Sequence, residues 1–283
     1  MNKFSMGNAF NEGKAFVMKN PLLYLGLIIV AQILSLIIMM LPMGGVGGFQ
    51  AMMAGGSDPM AMQQFMAGAG VLFVICMIIG VAVSLAGSFA VWRHGFANGT
   101  ISAGEALVYG LKACLPALLF VVVGYIIMLI AGLIVGFVFG MLGVASGDGA
   151  VAGIMGFIVA IGALAAMAYL LARFSIMGPE MVTSDSLNPF AAAGRSWRAT
   201  EGNGWMIALF FVICYIVFFI AYFIAALIAG GIGGASGSGV VMTLLFIIVM
   251  IPVIAIGALI GVGLPAGVYK DLVGDANKAQ IFD

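Results

Sequence analysis

Long apolar blocks alternate with short polar segments along this chain. Six blocks stand out, at about residues 21–42, 69–92, 114–142, 150–172, 204–230 and 239–268. A bilayer core takes about 20 mostly apolar residues of α-helix, so each block is long enough to cross. Backbone groups in lipid must be bonded internally, and continuous apolar blocks satisfy them as helices. The predicted fold class is an all-α integral membrane protein. It has six transmembrane helices arranged as three helical hairpins, each preceded by a cytoplasmic amphipathic interfacial helix. Residues 1–283 are read as a single polytopic membrane domain. The run GGIGGASGSG at 230–239 predicts a turn between the last two spans, because glycine is costly to hold in a helix.

The polar segments fix the orientation. Lys3, Lys14 and Lys19 precede the first block, and Arg93 and Lys112 lie between the second and third. Arg173, Arg195 and Arg198 lie between the fourth and fifth, and Lys270 and Lys278 follow the sixth. These are all ten basic residues; the other three connections hold only Asp58 and Asp148. Basic segments stay in the cytoplasm, so both termini are expected there. The expected localisation is the inner (cytoplasmic) membrane, as a multi-pass protein. Glu12 among the early lysines, and an apolar block too long for an h-region, predict that the N-terminal segment is kept as the first span and not removed as a signal peptide.

Within the basic segments one spacing recurs. Ser5, Ala9 and Gly13 place a cap and two small residues four apart, as do Ser102, Ala106 and Gly110, and Asn188, Ala192 and Ser196. Residues at i, i+4 and i+8 share one helix face, and small ones let that face lie close to another helix. Ser102 with Glu105 also forms a capping box. Interfacial helices are predicted at about 5–18, 102–112 and 188–200. Phe10, Phe16, Leu107, Tyr109, Phe190 and Trp197 can enter the headgroup boundary while Lys and Arg reach phosphates. Each copy precedes an apolar span, so the chain reads as a threefold internal repeat.

Composition narrows the function classes. The chain is 64% hydrophobic and 7% charged, with mean hydropathy +1.27, against about 25% charged in a soluble domain. A net charge of zero gives no basic excess for nucleic acid, which is not expected as a partner. Cys76, Cys114 and Cys214 lie in or beside apolar segments without CxxC spacing, and read as small buried residues.

Candidate chemistry is sparse. No apolar block carries a charge near its middle, where transport or catalysis usually leaves one. His94 is the sole histidine and sits at the end of the second block. No HExxH, P-loop, GxSxG or metal-ligand cluster is present. The expectation is no enzyme, no catalytic residues, no cofactor and no metal. The connection 43–68 is rich in Met and Gly, and Ser57-Asp58-Pro59 predicts the start of a short interfacial helix leading into the second span. Met52, Met53, Met60, Met62 and Met66 have the thioethers that suit Cu(I). The plainer reading is methionine filling apolar gaps. Gln32, Ser84 and Ser88 read as interhelical hydrogen-bonding groups. Gly132, Gly136 and Gly140, the stripe Gly80, Ser84 and Ser88, the stripe Ala221, Ala225 and Ala229, and the pair Gly257 and Gly261 read as close-packing faces, or as an oligomer seam. Pro252 predicts a kink in the sixth span.

The polar run 187–205, LNPFAAAGRSWRATEGNGW, holds Asn188, Pro189, Ala192, Ser196, Trp197, Arg198, Thr200, Gly202 and Asn203. It resembles the A-x-x-x-S-W-R-x-[TV]-x-G-N signature of a large bacterial group. That group includes YciC-like inner-membrane proteins and the membrane domain fused to some glycerophosphodiester phosphodiesterases. The ending Tyr269-Lys270-Asp271-Leu272 is similar to the group's closing Y-x-D-L run. The resemblance implies a six-span membrane domain and no catalytic residues. Phosphodiesterase activity is not carried over, because the chain ends about a dozen residues after its last span.

The leading expectation is a non-enzymatic scaffold that organises membrane or binds a partner or lipid through its cytoplasmic segments. Lys14, Lys112, Arg195, Trp197 and Arg198 are the candidate contacts for anionic phospholipid headgroups, a membrane-protein partner or a second copy of the chain. Asn188, Pro189, Ala192, Ser196 and Gly202 are the candidate structural motif. Glu180 and Asp185 with Arg173, Arg195 and Arg198 are read either as an ion-pair cluster or as a solvated loop. The alternative function is a transporter or permease for an apolar or lipidic solute, motivated by the repeated hairpins and the kinked span.

Overall fold

A computed structural model describes residues 3–43, 59–98, 100–146, 149–235 and 239–274. Nine α-helices and two short helical turns occupy these residues, and no strand occurs among them. Six helices are long and apolar enough to cross a membrane, within Pro21–Met39, Gly70–Phe96, Ala103–Val138, Gly153–Thr183, Gly204–Ile232 and Pro252–Gly274. The chain divides into two compact units. One comprises Met1–Phe16 with Leu119–Asp283, and the other comprises Val17–Leu118.

In the second unit, α2 (Pro21–Met40) packs along α3 (Pro59–Phe96). A Cβ on Gly80 would lie 3.0 Å from Ser35 Oγ, and one on Gly87 2.6 Å from the Ala31 methyl. The Gln32 amide donates to Ser84 Oγ at 2.9 Å. His94 is buried against Tyr24, with ring centroids 5.7 Å apart and Nδ1 3.5 Å from the phenol oxygen. His94 is thus packed inside this unit.

Two expected breaks are absent. The segment 102–112 is not a separate interfacial helix: α4 runs unbroken from Ala103 to Ser146. Ser102 and Glu105 do start it, as Ser102 N–H donates to the Glu105 carboxylate at 2.8 Å and Glu105 N–H donates to Ser102 Oγ at 3.2 Å. No residue between them and the apolar block stops a helix, and Pro116 removes one donor without ending it. Likewise α3 continues from Pro59 through its span without a boundary near 69. Asp58, Met52 and Met53 lie outside the described residues, as do the side chains of Met60, Met62 and Met66.

The first unit holds α1 (Met6–Met18), the later part of α4, α5 (Gly149–Phe174), α6 (Met177–Thr183), α7 (Pro189–Ala199), α8 (Gly204–Ala235) and α9 (Gly239–Tyr269), followed by a π-helical turn at Lys270–Gly274. Helices α8 and α9 pack together along their length, and α5 packs on α8. Gly257 of α9 lies under the Phe218 ring of α8. The predicted turn at 230–239 is narrower than expected, since α8 remains helical to Ala235. A glycine tract in an apolar phase keeps its backbone bonds by staying helical. Among the described residues, the stripe Gly132, Gly136 and Gly140 has no atom within 4 Å of where its Cβ atoms would be, and neither has Gly261. These glycines are open positions, contrary to the close-packing reading, while Gly80 and Gly257 are packed.

Candidate functional site at the basic helix ends

Each of the three small-residue triads is pressed against another helix. In the first, Ala9 is fully buried and a Cβ on Gly13 would lie 2.6 Å from the Gly263 carbonyl oxygen. Gly267 meets the Ala9 carbonyl and the Gly13 backbone in the same seam. In the second, Ala106 is buried and Gly110 lies on the Ala86 carbonyl. In the third, Ala192 and Ser196 are fully buried, and Ser196 Oγ donates to the Arg173 carbonyl at 2.7 Å. The partners are residues 263–267 of α9, 86–90 of α3 and Arg173 of α5, all toward the C-terminal ends of their helices. A helix C-terminus leaves carbonyls unbonded, and the Ser196 hydroxyl satisfies one of them.

A cation from each partner helix end also meets an aromatic ring of the docked segment. Arg93 lies 4.7 Å from the Tyr109 ring centre, Arg173 lies 4.1 Å from Trp197, and Lys270 lies 5.8 Å from Phe16. Such contacts are worth about 0.5–2 kcal/mol, the most where water is excluded.

The run 187–205 now has a role for nearly every singled-out residue. Asn188 Oδ1 caps α7 by accepting the N–H groups of Phe190 and Ala191 at 3.0 and 3.1 Å, with Pro189 in the first turn. Thr200 is fully buried and its hydroxyl donates to the Ser196 carbonyl at 2.8 Å. Gly202 adopts φ 73°, a left-handed conformation open to glycine at little cost. Asn203 Oδ1 accepts the Phe4 N–H at 3.1 Å. The closing run is engaged too. The Asp271 carboxylate accepts the Ser5 N–H at 2.9 Å and the Asn8 side-chain amide at 2.6 Å. Lys270 pairs with Glu12 at 3.1 Å, and the Tyr269 and Thr183 hydroxyls meet at 2.7 Å.

The expected charge cluster is partly assembled. Arg195 Nε pairs with Glu180 at 2.6 Å and its Nη2 donates to Ser184 Oγ at 2.8 Å. Arg195 therefore ties α7 to α6, a short helix for which the sequence carries no periodic signal. Arg198, Lys14 and Lys112 are exposed. Trp197 is 38% exposed, and Trp205, whose ring centre is 4.8 Å from that of Tyr169, is 64% exposed.

Arg173, expected as an orientation charge and as a member of the ion-pair cluster, packs against Trp197 and Tyr169 at the centre of this site. The residue is 3% exposed and its Nε has no hydrogen-bond partner among the described residues. Trp197 covers the guanidinium and Tyr169 lies 5.9 Å away. Its Cδ is 2.9 Å from where a Cβ on Gly204 would be, so the side chain passes against the first residue of α8. A buried charge costs several kcal/mol unless it is paired, and a helix N-terminus adds positive potential. The sequence signal for this arrangement was an arginine closing an apolar block, followed by a tryptophan in the polar segment before the next block.

Among the described residues no cluster of His, Cys, Asp and Glu is placed to hold a metal. Two apolar clefts border α8. One of about 400 Å³ is lined by residues including Leu171, Ser175, Phe211 and Tyr215. The other, about 600 Å³, lies between α8 and α9 and is closed at one end by Met6, Gly7 and Phe10. Comparison with protein-family models, curated proteins and solved structures finds no match.

Proposed function

We propose that the chain is a non-enzymatic, multi-pass protein of the bacterial inner membrane that binds anionic lipid or a membrane-protein partner through its cytoplasmic basic segments. In this reading three repeated units, each a docked short segment followed by a helical hairpin, build a YciC-like membrane domain. The observation that carries it is the shared docking of the three triads. Each triad fastens a basic segment to an apolar helix end by its small-residue face, while Lys14, Lys112 and Arg198 remain exposed. Each such cation near an anionic surface contributes about 1 kcal/mol. The experiment is lipid analysis of the purified protein beside a Lys14→Ala, Lys112→Ala, Arg198→Ala variant. The reading expects enrichment of anionic phospholipid, and of any co-purified partner, to fall in the variant. Equal enrichment in both removes it.

A second reading, a carrier for an apolar or lipidic solute, draws on the cleft of about 600 Å³ between α8 and α9, whose lining includes Phe210, Cys214, Phe218 and Ile256. Cleft-filling by Ala221→Trp would slow movement of a fluorescent lipid across vesicles if this reading holds, and unchanged movement counts against it.

A further inference from the structure

We infer that Arg173 of α5, packed against the N-terminus of α8, forms a binding site for a phosphate group. The inference deepens the lipid-binding reading and rests on it for the source of the ligand. Three observations converge. The guanidinium is almost completely buried, and its Nε points to no acceptor among the described residues. Its guanidinium meets aromatic faces, Trp197 at 4.1 Å and Tyr169 at 5.9 Å, which offset a positive charge without neutralising it. Its stem lies against Gly204, the first residue of a 32-residue helix whose N-terminal end itself favours an anion.

The nearby carboxylates do not fill the gap. Glu180 is held by Arg195, and Asp271 is held by Ser5 and Asn8. Glu201 is exposed on the turn ahead of α8. A guanidinium stacked on a ring still offers its N–H edge, and a phosphate oxygen accepts from that edge with a charge-assisted hydrogen bond. Helix α8 then supplies the fixed dipole behind it. Trp197, partly exposed, is the cover of the site, and rotation of its indole opens the path to Nε. The ligand is therefore a phosphate monoester or diester group, carried by a phospholipid headgroup or present as free phosphate.

The test uses the full chain with Trp92→Phe, which leaves Trp197 and Trp205 as reporters, in micelles free of phospholipid. One arm adds inorganic phosphate and the other adds phosphatidylglycerol. The expected result is a saturable fluorescence change in at least one arm. A response to phosphatidylglycerol alone assigns a lipid headgroup, and a response to inorganic phosphate assigns the free ion. Arg173→Met should weaken binding about tenfold or more, while Gly26→Ala, which places its methyl in open space on α2, leaves it unchanged. If Arg173→Met does not fold, Arg173→Lys decides, because it keeps the charge and loses the guanidinium edge; it should bind more weakly than the parent. No saturable change in either arm, or parental binding by a folded Arg173 variant, overturns the inference. The surface reading fails separately. It falls if the Lys14, Lys112 and Arg198 variant keeps its anionic lipid while the Arg173-dependent signal persists.

Discussion

Gly267 of α9 lies directly on the carbonyl oxygen of Ala9 in α1, with no room for a Cβ between them. Replacing a helical glycine by alanine ordinarily gains about 0.5–1 kcal/mol. Here the methyl meets backbone, which cannot turn aside, and overpacking costs about 1–3 kcal/mol. Gly267→Ala is expected to lower the melting temperature and expose α1 to protease. Gly7→Ala is the control, since nothing lies within 4 Å of its Cβ; it should melt at or slightly above the parent.

The Asp271 carboxylate anchors the start of the same helix through Ser5 and Asn8. Removing a buried acceptor leaves donors unsatisfied at about 1–3 kcal/mol. Asp271→Ala should therefore accelerate proteolysis within residues 1–16 more than it accelerates cleavage elsewhere. Equal rates at both places would show that the carboxylate does not hold α1.

Arg195 and Arg198 separate stability from surface binding. Arg195 is engaged by Glu180, with side-chain exposures of 34% and 13%, while Arg198 is exposed. A double-mutant cycle of Glu180→Ala and Arg195→Ala should give a coupling of about 1 kcal/mol in thermal unfolding. Arg198→Ala should leave unfolding unchanged and reduce bound anionic lipid.

Gln32 and Ser84 join α2 to α3 by a hydrogen bond of 2.9 Å. Polar bonds between spans average about 0.6 kcal/mol. Gln32→Ala should cost about that much in unfolding measurements, and Ser84→Ala should add little once Gln32 is gone. Fully additive losses would mean that the two side chains act independently.

The six spans were legible because lipid leaves the backbone one economical choice, and apolar length alone marks it. The triads were legible for a similar reason: small residues four apart announce a close approach, and Ala9, Ala106 and Ala192 all proved buried. What they approach was not legible, because Gly263, Ala86 and Arg173 are distant in sequence from the triads they meet. Helix ends were also obscure. Nothing local distinguishes a short helix ending at Lys112 from the first turns of one running to Ser146. Helix α6 escaped notice because seven residues with a proline carry no periodic pattern. Arg173 was grouped with Arg195 and Arg198 because a charge count treats every arginine at a membrane edge alike, and only tertiary packing separates the buried one from the exposed Arg198.

The measurement that bears most directly on this account is quenching of Trp197 and Trp205 in the Trp92→Phe protein by brominated lipid. Brominated phosphatidylglycerol and brominated phosphatidylcholine would be compared at the same low mole fraction in vesicles. The account predicts stronger quenching by the anionic lipid, with the difference reduced by Arg198→Ala. Equal quenching by the two lipids would contradict it.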